Sequence, residues 1–174
     1  GEFSMAKFII DAGHGLHTLG KRSHDGSLRE FQFNKPVADL VKKGLLEYVG
    51  TEVIFAHDPD GSTDVSLDAR TDLAKKHKDA LAFVSIHANA GVSSASGIET
   101  FHHDTKASAV SKALAKVVQA NLIQETGLKN RGVKSDNFHV LRETPMPAIL
   151  LECGFMTNAG DLEKLKSVAH RQAC

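Results

Sequence analysis

Apolar residues recur along this chain in two alternating patterns. Short strand-like runs fall at about residues 7–12, 52–57, 81–87, 97–102, 138–142 and 147–152. Between them apolar positions return at helical spacing. Val37, Leu40, Val41, Leu45, Leu46 and Val49 form one stripe; Val110, Leu114, Val117, Val118 and Leu122 form another, stopped by Gly127. Leu67 to Lys78 gives a weaker, more polar helix, and Asn158 suits the cap of a last helix carrying Leu162, Leu165 and Val168. Pro36 belongs in a first helical turn, so the first helix is expected to start near Asn34. Runs such as Ala80–Ile86 are apolar almost throughout, the pattern of strands covered on both faces. The alternation predicts an α/β fold: a three-layer α/β/α sandwich around a mostly parallel, roughly six-stranded mixed sheet. The link Glu143–Pro147 is too short for a parallel crossover, so the runs it joins are expected to form one antiparallel pair.

Composition narrows the class. At 174 residues the chain suits one domain with a full core. Lys+Arg and Asp+Glu both count 21, which removes any global electrostatic case for nucleic acid. The apolar runs are too short to span a bilayer, so no membrane partner is expected. Gly1-Glu2-Phe3-Ser4 before Met5 reads as a cloning scar, with Met5 as the native start, and no signal-peptide pattern follows. Cys153 and Cys174 make no disulfide framework; Cys153 ends a buried-type strand as a core thiol, and Cys174 is the one expected nearer solvent.

Three of the strand-like runs end in residues that bind or serve a metal. Lys7–Asp11 leads into Ala12-Gly13-His14-Gly15, Leu81–Ile86 into His87-Ala88-Asn89, and Ala148–Leu151 into Glu152-Cys153-Gly154. Ligands of α/β proteins gather beyond the carboxyl ends of the strands. Two imidazoles and a carboxylate meeting there are the donor types of a catalytic zinc site, which needs three protein ligands and an open fourth position. Candidates for the remaining ligand are Glu30, His17, His24, Asp25, His57, His102, His103 and His139. Glu30 lies past a Gly- and Ser-rich loop, just before the first helix, from where it can face His14. A lone strand-end histidine is more often a satisfied polar group than a ligand, and Glu152 could simply pair with Arg142. His102-His103 alternates across a strand and reads as surface or edge; His57, with Asp58 and Asp60, reads as a solvated turn. No HExxH, GxSxG, P-loop or GxGxxG pattern occurs.

From Lys7 to about Lys166 the chain resembles the zinc-dependent N-acetylmuramoyl-L-alanine amidases of the Amidase_3 family. The resemblance rests on Ile9–Gly15 (IIDAGHG), on Ser66-Leu67-Asp68-Ala69-Arg70, on Val84–Ala90 (VSIHANA) followed by Gly97–Phe101 (GIETF), and on Phe138–Asn158 (FHVLRETPMPAILLECGFMTN). It implies one zinc ion held by His14, Glu30 and His87, with Glu152 as the catalytic carboxylate. The reaction implied is hydrolysis of the amide joining N-acetylmuramic acid to L-alanine in peptidoglycan. Arg142 and Asn89 are candidate substrate contacts, Arg142 through a stem-peptide carboxylate or by orienting Glu152. A zinc peptidase cutting elsewhere in the stem peptide and a non-catalytic wall-binding module are the alternatives. The family's last helix continues further, so a truncation at Cys174 is expected, as is a wall-binding domain in the parent protein. The short Gly91–Ser96 loop predicts an open cleft. A monomer made in the cytoplasm and acting on the wall after release, as phage endolysins and mother-cell lysis enzymes do, completes the expectation.

Overall fold

The computed structural model describes residues 4–174; the expected cloning scar lies outside the described residues except for Ser4. One sheet of six strands organises the chain: β1 (Ala6–Ala12), β2 (Thr51–Phe55), β3 (Ala82–Asn89), β4 (Ile98–His103), β5 (Asn130–Asp136) and β6 (Ala148–Phe155). Their order across the sheet is β2-β1-β3-β6-β4-β5. All neighbours run parallel except β4 and β6.

Alternation along the strands sorts the core into two layers. Ile10, Ile86, Ile149 and Leu151 pack on one face beneath α1 (Glu30–Leu46), α3 (Ala109–Thr126), α5 (Ala159–Lys166) and α6 (Val168–Ala173). Their neighbours Ile9, Phe83, Ala148 and Leu150 pack on the other, with α2 (Leu67–Lys76) and the single turn α4 (His139–Arg142). This is the expected three-layer sandwich. Phe33 and Phe83 are wholly buried, one in each layer, and truncating either to alanine costs about 3–5 kcal/mol. Caps fix the helix starts: Ser66, Ser108 and Asn158 each accept a backbone N–H from the first turn, Asn158 as expected.

Three expectations are corrected. Residues 138–142 form α4, not a strand; the missing strand is β5, which carries a single apolar side chain, Val133, and buries none of its residues. An edge strand of this kind has no hydrophobic alternation to read. The antiparallel pair is therefore β4–β6 rather than a hairpin around Glu143–Pro147. The first helix starts at Glu30, four residues early, and runs through Pro36. Pro36 gives up one backbone donor, while the burial of Phe31, Phe33, Val37 and Ala38 holds the helix against the sheet. Gln32 Oε1 accepts the Arg29 N–H at 2.8 Å and helps fix that earlier start.

Candidate metal centre and cleft

The parallel strands β1, β3 and β6 end together, and their register decides which side chains meet. Asp11 pairs with Ser85, and His87 with Glu152. Counting back by twos, Asp11 shares the face of Ile9, Ser85 and His87 that of Phe83, and Glu152 that of Leu150. All therefore lie on the side covered by α2 and α4, where two short helices leave the strand ends open. A cleft of about 610 Å³ forms there, lined by His14, Glu30, His87, Asn89, His139 and Glu152 among others.

His14, Glu30 and His87 each aim one donor atom into this cleft, all within 4.8 Å of one another. His14 Nε2 is 3.4 Å from Glu30 Oε2, and His87 Nδ1 is 3.1 Å from Glu30 Oε1. The two rings stand edge to face, 5.2 Å apart. His14 takes a left-handed backbone conformation, φ 64°, which strains a residue with a Cβ and turns the ring inward. Gly13 permits the approach, since a Cβ there would lie 2.1 Å from His87 Cε1. Glu30 enters from the first turn of α1. Its Oε1 accepts from Asn34 Nδ2 and from the Ala88 N–H, both at 3.2 Å.

Electrostatics separate the two carboxyls of the cleft. Burial alone would raise the pKa of Glu30, but the His87 hydrogen bond and the charges of His87 and His14 overcome it and hold the group below its ordinary value. Burial likewise works against the charge on His87, and Glu30 more than compensates, raising it. His14 is lowered, because burial there outweighs the Glu30 charge. Burial drives Glu152 up to about 8; His87 opposes this, and Glu30 and Glu99 add to it. Glu152 Oε2 is shielded from solvent and has no hydrogen-bond partner among the described residues. A buried polar atom left unpartnered is costly and rare. These donors suit a divalent cation: two imidazoles and one ionised carboxylate converge, with an opening towards the cleft.

Other candidates fall elsewhere. His17, His24 and Asp25 are exposed and outside the cleft lining. His57 is not a solvated turn: it is buried, and its Nδ1 accepts the Ala12 N–H at 2.9 Å. His103 is not at the surface either. It is buried, bonds Asn137 Oδ1 at 2.9 Å and caps the Lys106 N–H. His102 turns its ring back to the His103 carbonyl. His139 lines the cleft wall, where its Nε2 lies 3.2 Å from Asp68 Oδ1. Arg142 does not pair with Glu152. It binds Glu143 and Asn137, each at 2.8 Å, and lines a separate hollow, because one turn of α4 directs it away from the cleft. Asn89 lies at the cleft, its amide donating to Glu99 Oε1 at 2.8 Å.

A buried polar layer under the cleft escaped the sequence reading. Arg70, from α2, reaches Asp11 Oδ1 at 2.5 Å and the carbonyls of Ala12 and His14 at 2.8 and 3.0 Å. Ser85 Oγ bonds Asp11 Oδ2 at 2.6 Å and His87 Nε2 at 2.9 Å. The readable signal was a carboxylate and a hydroxyl interrupting otherwise apolar strands.

Comparison with known proteins bears on all of this. Residues 8–174 match the family Amidase_3, N-acetylmuramoyl-L-alanine amidase. The chain is 36% identical over 170 residues to the N-acetylmuramoyl-L-alanine amidase CwlM of Bacillus licheniformis, covering 97% of this chain and 64% of that protein. Across the first curated relatives it spans from 32% to 76% of their length. Among solved structures it is similar to an N-acetylmuramoyl-L-alanine amidase from Clostridium difficile 630, with TM-score 0.90 and 34% identity over 98% of this chain and 90% of that one. The catalytic domain of CwlV, an amidase from Bacillus (Paenibacillus) polymyxa var. colistinus, gives TM-score 0.88 and 36% identity over 97% and 91%. With the strand-end cluster, the sheet order and these matches in agreement, the chain belongs to the Amidase_3 family of N-acetylmuramoyl-L-alanine amidases.

Proposed function

We propose that this chain hydrolyses the amide between the lactyl group of N-acetylmuramic acid and the first L-alanine of the peptidoglycan stem peptide. His14, Glu30 and His87 would hold one zinc ion, and Glu152 would carry the proton. The observation that supports this most directly is a three-donor His–Glu–His cluster sharing one cleft with a buried, unpartnered carboxyl. Family membership and the amidase names of the relatives support the bond chosen.

A zinc ion held by His14, Glu30 and His87 would supply Lewis acidity to the scissile carbonyl and the attacking water. Glu152 accepts a proton from the attacking water and later delivers it to the departing alanine nitrogen. A carboxyl held near 8 in the metal-free chain, and brought down by a neighbouring cation, is suited to both transfers around neutral pH. Glu30 stays ionised through its histidine partners and so remains an acceptor. Asn89, its amide fixed by Glu99, is the proposed substrate contact on the β3 side.

The deciding experiment is a digest of purified peptidoglycan, with zinc content measured on the same sample. The expected products are glycan strands without peptide and intact stem peptides with a new amino-terminal L-alanine. Stem peptides cut at an internal bond would replace the amidase reading by a peptidase one. Zinc-loaded protein that releases no amino termini would leave a binding module.

A further inference from the structure

We infer that Cys174 and Cys153 form an oxidisable thiol pair, a modification site for low-molecular-weight disulfides, in which Cys174 attacks and Cys153 closes the bond. The pair is independent of the proposed zinc chemistry, which uses neither sulfur.

These are the chain's two cysteines, and alternation along β6 decides where the first one lies. Glu152 faces the cleft, so Cys153 points to the opposite side of the sheet, into the core layer beneath α1, α3, α5 and α6. It is wholly buried. Cys174 follows α6, is half-buried and packs against that same layer. The Cys153 thiol hydrogen-bonds Cys174. His170 completes the cluster. It sits one helical turn before Cys174, and its carbonyl accepts the Cys174 N–H at 2.9 Å. Its ring is buried and stacks on Phe33, with centroids 6.1 Å apart. Nε2 lies 2.9 Å from the Cys153 carbonyl oxygen and 3.6 Å from Cys174 Sγ. A carbonyl can only accept, so Nε2 carries its hydrogen and presents it to Sγ as well.

The thiolate is the reactive form of cysteine, and an adjacent imidazole favours it. The hydrogen bond from Cys153 brings Cys174 down to about 6; burial opposes this, and His170 adds to it. The same hydrogen bond, with burial, raises Cys153 well above the ordinary thiol range. Burial works against a charge on His170, and Cys174 more than compensates, raising it. Asp161 of α5 also favours the His170 cation, and Glu152 disfavours a Cys153 thiolate. The outer sulfur is therefore ionised at neutral pH and the inner one protonated, as in an attacking thiol beside its resolving partner.

The exchange balances with the disulfide RSSR as oxidant. The Cys174 thiolate attacks one sulfur of RSSR, breaks its S–S bond and releases RS⁻. Cys153 Sγ then attacks Cys174 Sγ, expels the second RS⁻ and gives up its proton to it. The two cysteines lose two electrons and RSSR gains them. The new bond ties the end of α6 to the strand that carries Glu152.

The test is treatment of the folded, unsubstituted protein with oxidised glutathione, then acid quenching, alkylation of the remaining thiols and peptide mass mapping. The expected product is a monomer two hydrogens lighter, its Cys153 and Cys174 peptides joined by a link that a reductant breaks. Cys153→Ala should stop at a glutathione adduct on Cys174, and Cys174→Ser should leave Cys153 unmodified. His170→Gln should slow the reaction roughly 3- to 10-fold at neutral pH and move its pH profile upward, a shift that a purely packing role would not produce. In the unsubstituted protein, a glutathione adduct persisting on Cys174 beside a free Cys153, a covalent dimer through Cys174, or two unreacted thiols would each overturn the pair. So would modification of Cys153 in a folded Cys174→Ser protein.

Discussion

Glu99 and Glu152 stand directly opposite each other across the one antiparallel strand pair, on the same face of the sheet, yet the fold treats them in opposite ways. Glu99 accepts from Asn89 at 2.8 Å, from Arg131 at 2.8 Å and from Lys134 at 2.5 Å. Burial would raise its pKa, and the Lys134 and Arg131 partners reverse that and lower it. Glu152 has no such partner on Oε2, and burial raises it to about 8. Identical side chains a strand apart thus become a charged, ion-paired carboxylate and one that is raised and unpartnered on Oε2. Partners supplied from β5 offset burial at Glu99, and burial acts without them at Glu152. Within the cleft itself the separated pair is Glu30, held low, and Glu152, raised, the kind of arrangement in which proton-transfer roles are found.

The sharpest way to break this contrast is to remove the raised member, the proposed proton carrier. Glu152→Gln should lower turnover roughly 10²- to 10⁴-fold while zinc is retained. Near-normal turnover in the folded variant would reject the role. The same substitution should stabilise the metal-free protein. A carboxyl raised from 4.5 to about 8 penalises the fold increasingly as pH climbs through that window, and not below it. Thermal melts with chelator present should show Glu152→Gln gaining about 1–3 kcal/mol near pH 8 and nothing near pH 4.

His57 extends the comparison to a buried imidazole. Burial lowers its pKa from 6.5 to about 4, and its Nε2 has no partner among the described residues. The unfolded chain therefore binds a proton that the folded chain refuses between those values, and stability falls as pH drops from 6.5 towards 4. The full loss is about 3 kcal/mol. Denaturant midpoints of the parent and of His57→Gln, compared across that window, should show the acid sensitivity reduced in the variant.

Removing the structural member tests the other side. Glu99→Gln would place an amide nitrogen against Arg131 and Lys134 and should cost about 1–3 kcal/mol. It also deletes a negative charge that helps hold Glu152 up. The acid limb of the pH–rate profile should move to lower pH, with turnover preserved; a limb that stays in place would uncouple the pair. The smallest effect is expected at Arg142, whose shortest contacts are Glu143 and Asn137, with His139 Nδ1 farther off at 3.4 Å. Arg142→Ala should change stability by about 0–1 kcal/mol and leave turnover unchanged, whereas a large rise in KM would return it to the substrate cleft.

Much of this protein was legible in the order of its residues. Apolar alternation gave five of the six strands and the layered architecture, because burial on two faces leaves near-continuous apolar runs. Strand ends carrying His14, His87 and Glu152 pointed to one edge, and the motifs around them pointed to the family. Local sequence could not reveal β5, whose polar residues are held at the sheet edge by backbone pairing with β4. Nor could it show that His57 and His103 are interior or that Arg142 turns away. The partners of Glu99 and of Asp11 lie 32 and 59 residues along the chain. Which carboxylate stays charged therefore depends on strand register and helix docking, which bring distant donors within hydrogen-bonding reach.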